Sequence, residues 1–161
     1  MTAPDLVALL PWLTLAAGAV ALMLAIAFRR DHRLAAGLAV VTLGLALLCL
    51  PIAATAAPRD VTPLFRIDGF ALLFAGILVA ATAAVALLSY GYLHAQRETR
   101  EEYYLLLLLA ALGASLLAAS QHLVSFFLCL ELLSVSLYSL IGYLRRRRRG
   151  LEAAIKYLVL S

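Results

Sequence analysis

A chain of 161 residues with 65% apolar and only 14% charged side chains is not built as a water-soluble domain. Soluble domains carry about 25% charged residues, and this sequence lacks the polar shell that would cover its core. Its net charge of +4 is gathered into short segments between apolar runs, which argues against nucleic acid as a partner. The composition predicts an all-α polytopic membrane protein with the lipid bilayer as its solvent.

In chain order, the first apolar run covers about 6–28. It lacks a basic leader and a small-residue cleavage site, so it reads as a retained span. It stops at Arg29-Arg30-Asp31-His32-Arg33. The second run covers about 34–57, with Pro51 near its end. A loop of prolines and charges follows, 58–68, in which Asp68 is placed to cap the third run, 69–93. The charged segment 94–102 leads to the fourth run, 103–120. Only Gln121-His122 separates it from the fifth, 123–144, so these two should form an antiparallel helical hairpin. Beyond Arg145–Arg149 and Gly150, the stretch 151–161 reads as the start of a sixth helix. The expectation is one transmembrane domain over 1–161, forming the N-terminal part of a longer protein. Each of the five runs has 18 or more residues. At 1.5 Å per residue that covers most or all of a hydrocarbon core of about 30 Å. None shows the two-residue alternation of a membrane barrel.

Arginine sets the expected orientation. Arg29, Arg30, Arg33, Arg97, Arg100 and Arg145–Arg149 fall in alternate segments on one side, against Arg59 and Arg66 on the other. The richer side should face the cytoplasm, which puts the N-terminus outside. The Arg145–Arg149 run then reads as a topology anchor against anionic headgroups.

Several residues read as structural. Cys49 and Cys129 stand alone in apolar runs, as small hydrophobes rather than ligands. His32, His94 and His122 lie at the ends of runs, as interfacial groups. Tyr90, Tyr92, Tyr103, Tyr104 and Tyr143 form an aromatic belt, and Gly37, Gly44, Gly76 and Gly113 would permit close helix contacts. No nucleotide, flavin, haem or iron–sulfur motif occurs, so no cofactor is expected in this chain.

Glu131 is different. It is the one acid within a long apolar run, nine residues past His122 and so roughly 13 Å into the membrane. A carboxylate there is costly unless water or a partner supports it, and such residues serve ion or proton paths. Ser134 at i+3 and Tyr138 at i+7 share its helix face and could support a short water chain. The plain alternative is a protonated acid making one interhelical hydrogen bond. Lys156, four residues after Glu152, is either a second buried charge or one half of an interfacial i,i+4 pair.

The stretch from His122 through Phe127-Leu128-Cys129-Leu130-Glu131-Leu132-Leu133-Ser134 to Tyr138, followed by Leu151-Glu152-Ala153-Ala154-Ile155-Lys156-Tyr157, resembles subunit N of bacterial proton-pumping NADH:quinone oxidoreductase (complex I). That subunit is one of the antiporter-like membrane subunits. Phe65, Asp68-Gly69-Phe70 and Glu102-Tyr103-Tyr104 are similar to the same family, so the resemblance extends over 65–161. It implies proton translocation in the bacterial inner membrane, with Glu131 central to the path and Lys156 at the start of the next helix. It also implies other complex I membrane subunits as partners. NADH, flavin, iron–sulfur clusters and quinone would be handled by the rest of that complex. Ser136 departs from the family pattern, which has proline there. A sodium/proton antiporter subunit of the Mrp type and a non-catalytic structural membrane module are the rival expectations.

Overall fold

The computed structural model describes residues 3–94, 101–143 and 148–160. Its elements run α1 (Ala3–Ala8), α2 (Leu10–Phe28), α3 (His32–Ala54), β1 (Arg59–Thr62), β2 (Phe65–Ile67), α4 (Gly69–His94), α5 (Glu101–Ala118), α6 (Leu123–Ile141) and α7 (Arg148–Leu160). The chain is thus all-α in its membrane-spanning part. Five helices, α2 to α6, are long and apolar enough to cross a bilayer.

The helix ends follow local chemistry. Pro11 occupies the first turn of α2, where the missing N–H costs no intrahelical bond, so the first expected span splits at Leu9 into α1 and α2. Asp31 caps α3 by accepting from the Arg33 N–H at 2.9 Å. Asp68 caps α4 by accepting from Ala71 N–H at 2.9 Å, as its position predicts. His122 caps α6, its Nδ1 accepting from Val124 N–H at 3.2 Å. Pro51 falls in the last turn of α3 and is accommodated inside that helix.

The bundle is organised around α5, which packs against α2, α3, α4 and α6. Tyr104, Leu108, Ala111 and Ser115 are buried along it. Neighbouring helices meet it and one another through alanines, among them Ala35, Ala39 and Ala46 of α3 and Ala71 and Ala75 of α4. Lipid tails are as apolar as leucine, so close packing of small residues is what favours helix contact here. Gly113 carries a close approach of two helix backbones. A Cβ there would lie 2.9 Å from the Leu133 nitrogen and 3.1 Å from the Cys129 oxygen, both backbone atoms of α6. Gly18 lies so close to the Thr42 side chain that any Cβ would overlap it. Gly37 and Gly44 have open space instead, so the expectation of close contacts at those two is corrected.

The loop at 58–68 is not irregular. β1 and β2 form an antiparallel hairpin with Arg59 opposite Ile67 and Asp60 opposite Arg66. Val61 and Ile67 are buried beneath it while Asp60 and Arg66 face outward. Arg59 Nη1 reaches Asp5 Oδ1 of α1 at 2.7 Å. The hairpin is also stapled to the α5–α6 turn. Arg66 N–H donates to the Ala119 carbonyl and Gln121 N–H to the Leu64 carbonyl, each at 2.9 Å, and Phe65 bridges Ser120. The Ser125 hydroxyl of α6 lies 2.8 Å from both the Leu64 and the His122 carbonyl oxygens.

Two outcomes follow from these contacts. Gly113→Val should destabilise the protein by about 1–3 kcal/mol through overpacking against backbone that cannot move aside. Thermal unfolding in detergent reads this, and an unchanged midpoint would refute the close α5–α6 approach. Ser125→Ala should cost about 1 kcal/mol and speed hydrogen exchange at the Gln121 and Arg66 amides; unchanged exchange at both would show that the staple does not depend on that hydroxyl.

Candidate functional site

The serine and threonine side chains of the spans are mostly absorbed locally. Thr14 donates to the Pro11 carbonyl, Thr42 to Leu38, Thr82 to Leu78, Ser115 to Leu112, Ser136 to Leu132 and Ser139 to Val135. A hydroxyl in hydrocarbon finds its nearest acceptor on its own helix, one turn back. Arg30 approaches Glu102 at 3.9 Å at the arginine-rich end of the bundle.

Glu131 is not absorbed in this way. It sits near the middle of the 19-residue α6 and is exposed on the face pointing away from α5. Ser125, Cys129 and Ser136 form the opposite, buried stripe. Around Glu131 the outward face consists of Val124, Phe127, Leu128 and Val135, all exposed. Ser134 and Tyr138 lie on that same side, half-buried, as their spacing predicts. Among the described residues, no hydrogen bond or ion pair engages Glu131, Ser134 or the Tyr138 hydroxyl. The Tyr138 ring packs edge-on against Tyr157 of α7, with centroids 5.4 Å apart.

Lys156 is elsewhere. Its Nζ is 2.6 Å from Glu152 Oε1 in an exposed i,i+4 pair on α7. Such pairs contribute only about 0.2–0.5 kcal/mol in an exposed helix. The structure therefore groups Glu131, Ser134 and Tyr138 on one face, links that group to α7 through Tyr157, and holds Lys156 on Glu152 rather than on Glu131. At Ser136 α6 is uninterrupted, running from Leu123 to Ile141, and the serine hydroxyl donates to the Leu132 carbonyl at 2.7 Å.

The histidine and tyrosine residues of the arginine-rich end are more organised than an interfacial belt requires. His32 is buried and stacks on Tyr90 with centroids 5.1 Å apart and rings 10° from parallel. It also lies 5.7 Å from Tyr104, which meets Tyr103 edge-on at 5.5 Å. Tyr103 in turn contacts Tyr143 and shares a 2.9 Å hydrogen bond with Ser89. These rings tie α3, α4, α5 and the end of α6 together. Cys129 is buried and Cys49 half-buried, both as free thiols. Among the described residues, no three His, Cys, Asp or Glu side chains come together as a metal site would require. His94, Arg97, Arg100 and Arg145–Arg149 have side chains outside the described residues, so much of the expected charge asymmetry lies there too.

A bundle of five bilayer-length helices with one acid exposed at mid-helix defines a multi-pass membrane protein whose polar centre faces out of the chain's own packing. Residues 120–161, which hold all of α6 and α7, match the family model described as "NADH:quinone oxidoreductase/Mrp antiporter, TM". A chain of respiratory complex I from Thermus thermophilus, solved with bound aureothin, superposes with a TM-score of 0.79 at 33% sequence identity. That match covers 93% of this chain and 32% of the other, so this chain spans about a third of the length of the one it matches. Both findings are similarities to antiporter-like membrane subunits, the first shared between NADH:quinone oxidoreductase and Mrp antiporters.

The geometry predicts a chemical signature. A lipid-soluble carbodiimide added to the bilayer-embedded chain should couple to Glu131 in preference to Glu152, since the reagent partitions into hydrocarbon while Lys156 occupies Glu152. Peptide mass spectrometry locates the adduct. Modification at Glu152 with Glu131 intact would contradict the outward placement.

Proposed function

We propose that this chain is a proton-translocating membrane subunit, of the subunit N type, in a NADH:quinone oxidoreductase. Glu131 is its proton-exchanging group. The observation that carries this reading is the side chain's position: a carboxyl group at mid-helix, among Val124, Phe127, Leu128 and Val135, bonded to nothing else described. An ionised carboxylate at the centre of a hydrocarbon layer costs at least about 2.5–3.5 kcal/mol. A carboxyl group on that face needs water or a partner group beside it to bear a charge, and an exchange of such partners is what a proton path requires. A group whose charge depends on what approaches it is suited to couple a movement elsewhere to proton uptake and release.

Ser134 and Tyr138 extend the same face with two further hydroxyls, enough to hold a water chain leading towards α7. Lys156, next to Tyr157 on α7 and paired with Glu152, is the second group of the proposed path. Oxidation of NADH and reduction of quinone take place in other subunits, and other membrane subunits of the complex are the partners. The membrane is the bacterial inner membrane.

The test is Glu131→Gln in the complete membrane assembly, reconstituted in vesicles with a pH-sensitive dye inside. The amide keeps the shape and removes the exchangeable proton. Proton movement driven by NADH oxidation should fall on the order of tenfold or more, with normal assembly, and Glu131→Asp should retain part of it. Undiminished pumping in Glu131→Gln would make Glu131 a packing residue and the chain a structural module. Ion movement driven by a sodium gradient without NADH would place the chain with the Mrp-type antiporters instead.

A further inference from the structure

We propose that the groove between α3 and α4 at their arginine-rich ends is a fixed site for one anionic phospholipid. The groove has a volume of about 330 Å³ and is lined by Arg33, Gly37, Val40, Ala86, Leu87 and Tyr90, among others. Its composition changes along its length as a lipid's does. Arg33 and Tyr90 stand at the mouth, and only apolar side chains and a glycine lie below them.

Three features make it a site rather than a seam. The first is a cation without a counter-charge. Arg30 meets Glu102, Arg59 meets Asp5 and Arg66 meets Asp60. No acid pairs with Arg33 among the described residues, while its own N–H is tied to Asp31 at 2.9 Å. Its backbone is thus held in the first turn of α3 with the guanidinium left to a ligand. A planar fork of N–H donors matches the two free oxygens of a phosphodiester. The second is a positioned ring. Tyr90 is stacked flat on buried His32, which fixes its place at the mouth.

The third is the floor. Nothing lies within 4 Å of a Cβ placed on Gly37, and Ala86 opposite it is small and buried. From Arg33 to Val40 the trough runs roughly 10 Å along α3, which accepts the upper part of one acyl chain. A partner helix seated here would have to bring an acid for Arg33, whereas an anionic lipid carries its charge in the headgroup at the mouth. The site belongs to α3 and α4, so its test is independent of the role of Glu131.

The full chain in its membrane assembly is reconstituted in vesicles of equal phosphatidylglycerol and phosphatidylcholine, with a photoactivatable diazirine on the acyl chain of one lipid at a time. After illumination, peptides covering 33–40 and 86–90 should carry several-fold more adduct from phosphatidylglycerol than from phosphatidylcholine. Arg33→Gln should abolish the excess and Arg33→Lys should leave an intermediate one, since the charge stays but the fork is lost. Arg29→Gln, outside the groove, should change nothing. The proposal is overturned if the parent shows no excess, if Arg33→Gln keeps it, or if Arg29→Gln removes as much. It is equally overturned if neither lipid labels these peptides, which would mean that a protein partner fills the groove.

Discussion

Hydrocarbon offers no hydrogen bonds, and every polar group in this bundle is arranged around that fact. Backbone groups are satisfied within each helix, the only open arrangement a bilayer tolerates. Side-chain hydroxyls from Thr14 to Ser139 turn back on their own helices. Where the chain leaves helix, between α3 and α4, its backbone pairs as a hairpin and then with the α5–α6 turn. Among the described residues Glu131, Ser134 and the Tyr138 hydroxyl, on one side of α6, fall outside that rule, as do the buried Trp12 Nε1 and Tyr104 hydroxyl.

The packing explains why Glu131 points outward. α5 is surrounded by four neighbours, and Gly113 lets α6 approach so closely that α6 backbone meets α5 backbone. This contact uses the Cys129–Leu133 side of α6. With 3.6 residues per turn, Glu131 and Ser134 are then turned away from the bundle. A larger residue at 113 would alter the rotation and height of α6, and with them the direction of the carboxyl group. The site is therefore set as much by a glycine on the neighbouring helix as by its own residues.

How much was legible in the sequence depended on the range of the physics involved. The five spans were readable because each rests on a local property, an apolar run of sufficient length, and Asp68 as a cap rests on its adjacency to Gly69. The shared face of Glu131, Ser134 and Tyr138 was readable from helical period alone. The direction of that face was not, because it depends on Gly113 in another helix. The hairpin at 59–67 escaped notice since two strands of four and three residues give almost no periodic signal. His122 as a helix cap was missed because imidazole is not among the usual capping groups, although its Nδ1 is an adequate acceptor. Gly37 and Gly44 were misread for a related reason: small size permits a close neighbour but does not supply one.

The attachment of the hairpin to the α5–α6 turn also determines how α6 can move. Its first turn is gripped by Leu64 through Ser125 and by the cap of His122, whereas its far end meets Tyr103 of α5 through the Tyr143 ring. Any tilt of this helix must then swing from the gripped end like a hand on a clock, with displacement growing towards Tyr138 and Tyr143. Glu131 sits partway along that arm, between the gripped end and the Tyr138–Tyr157 ring contact with α7.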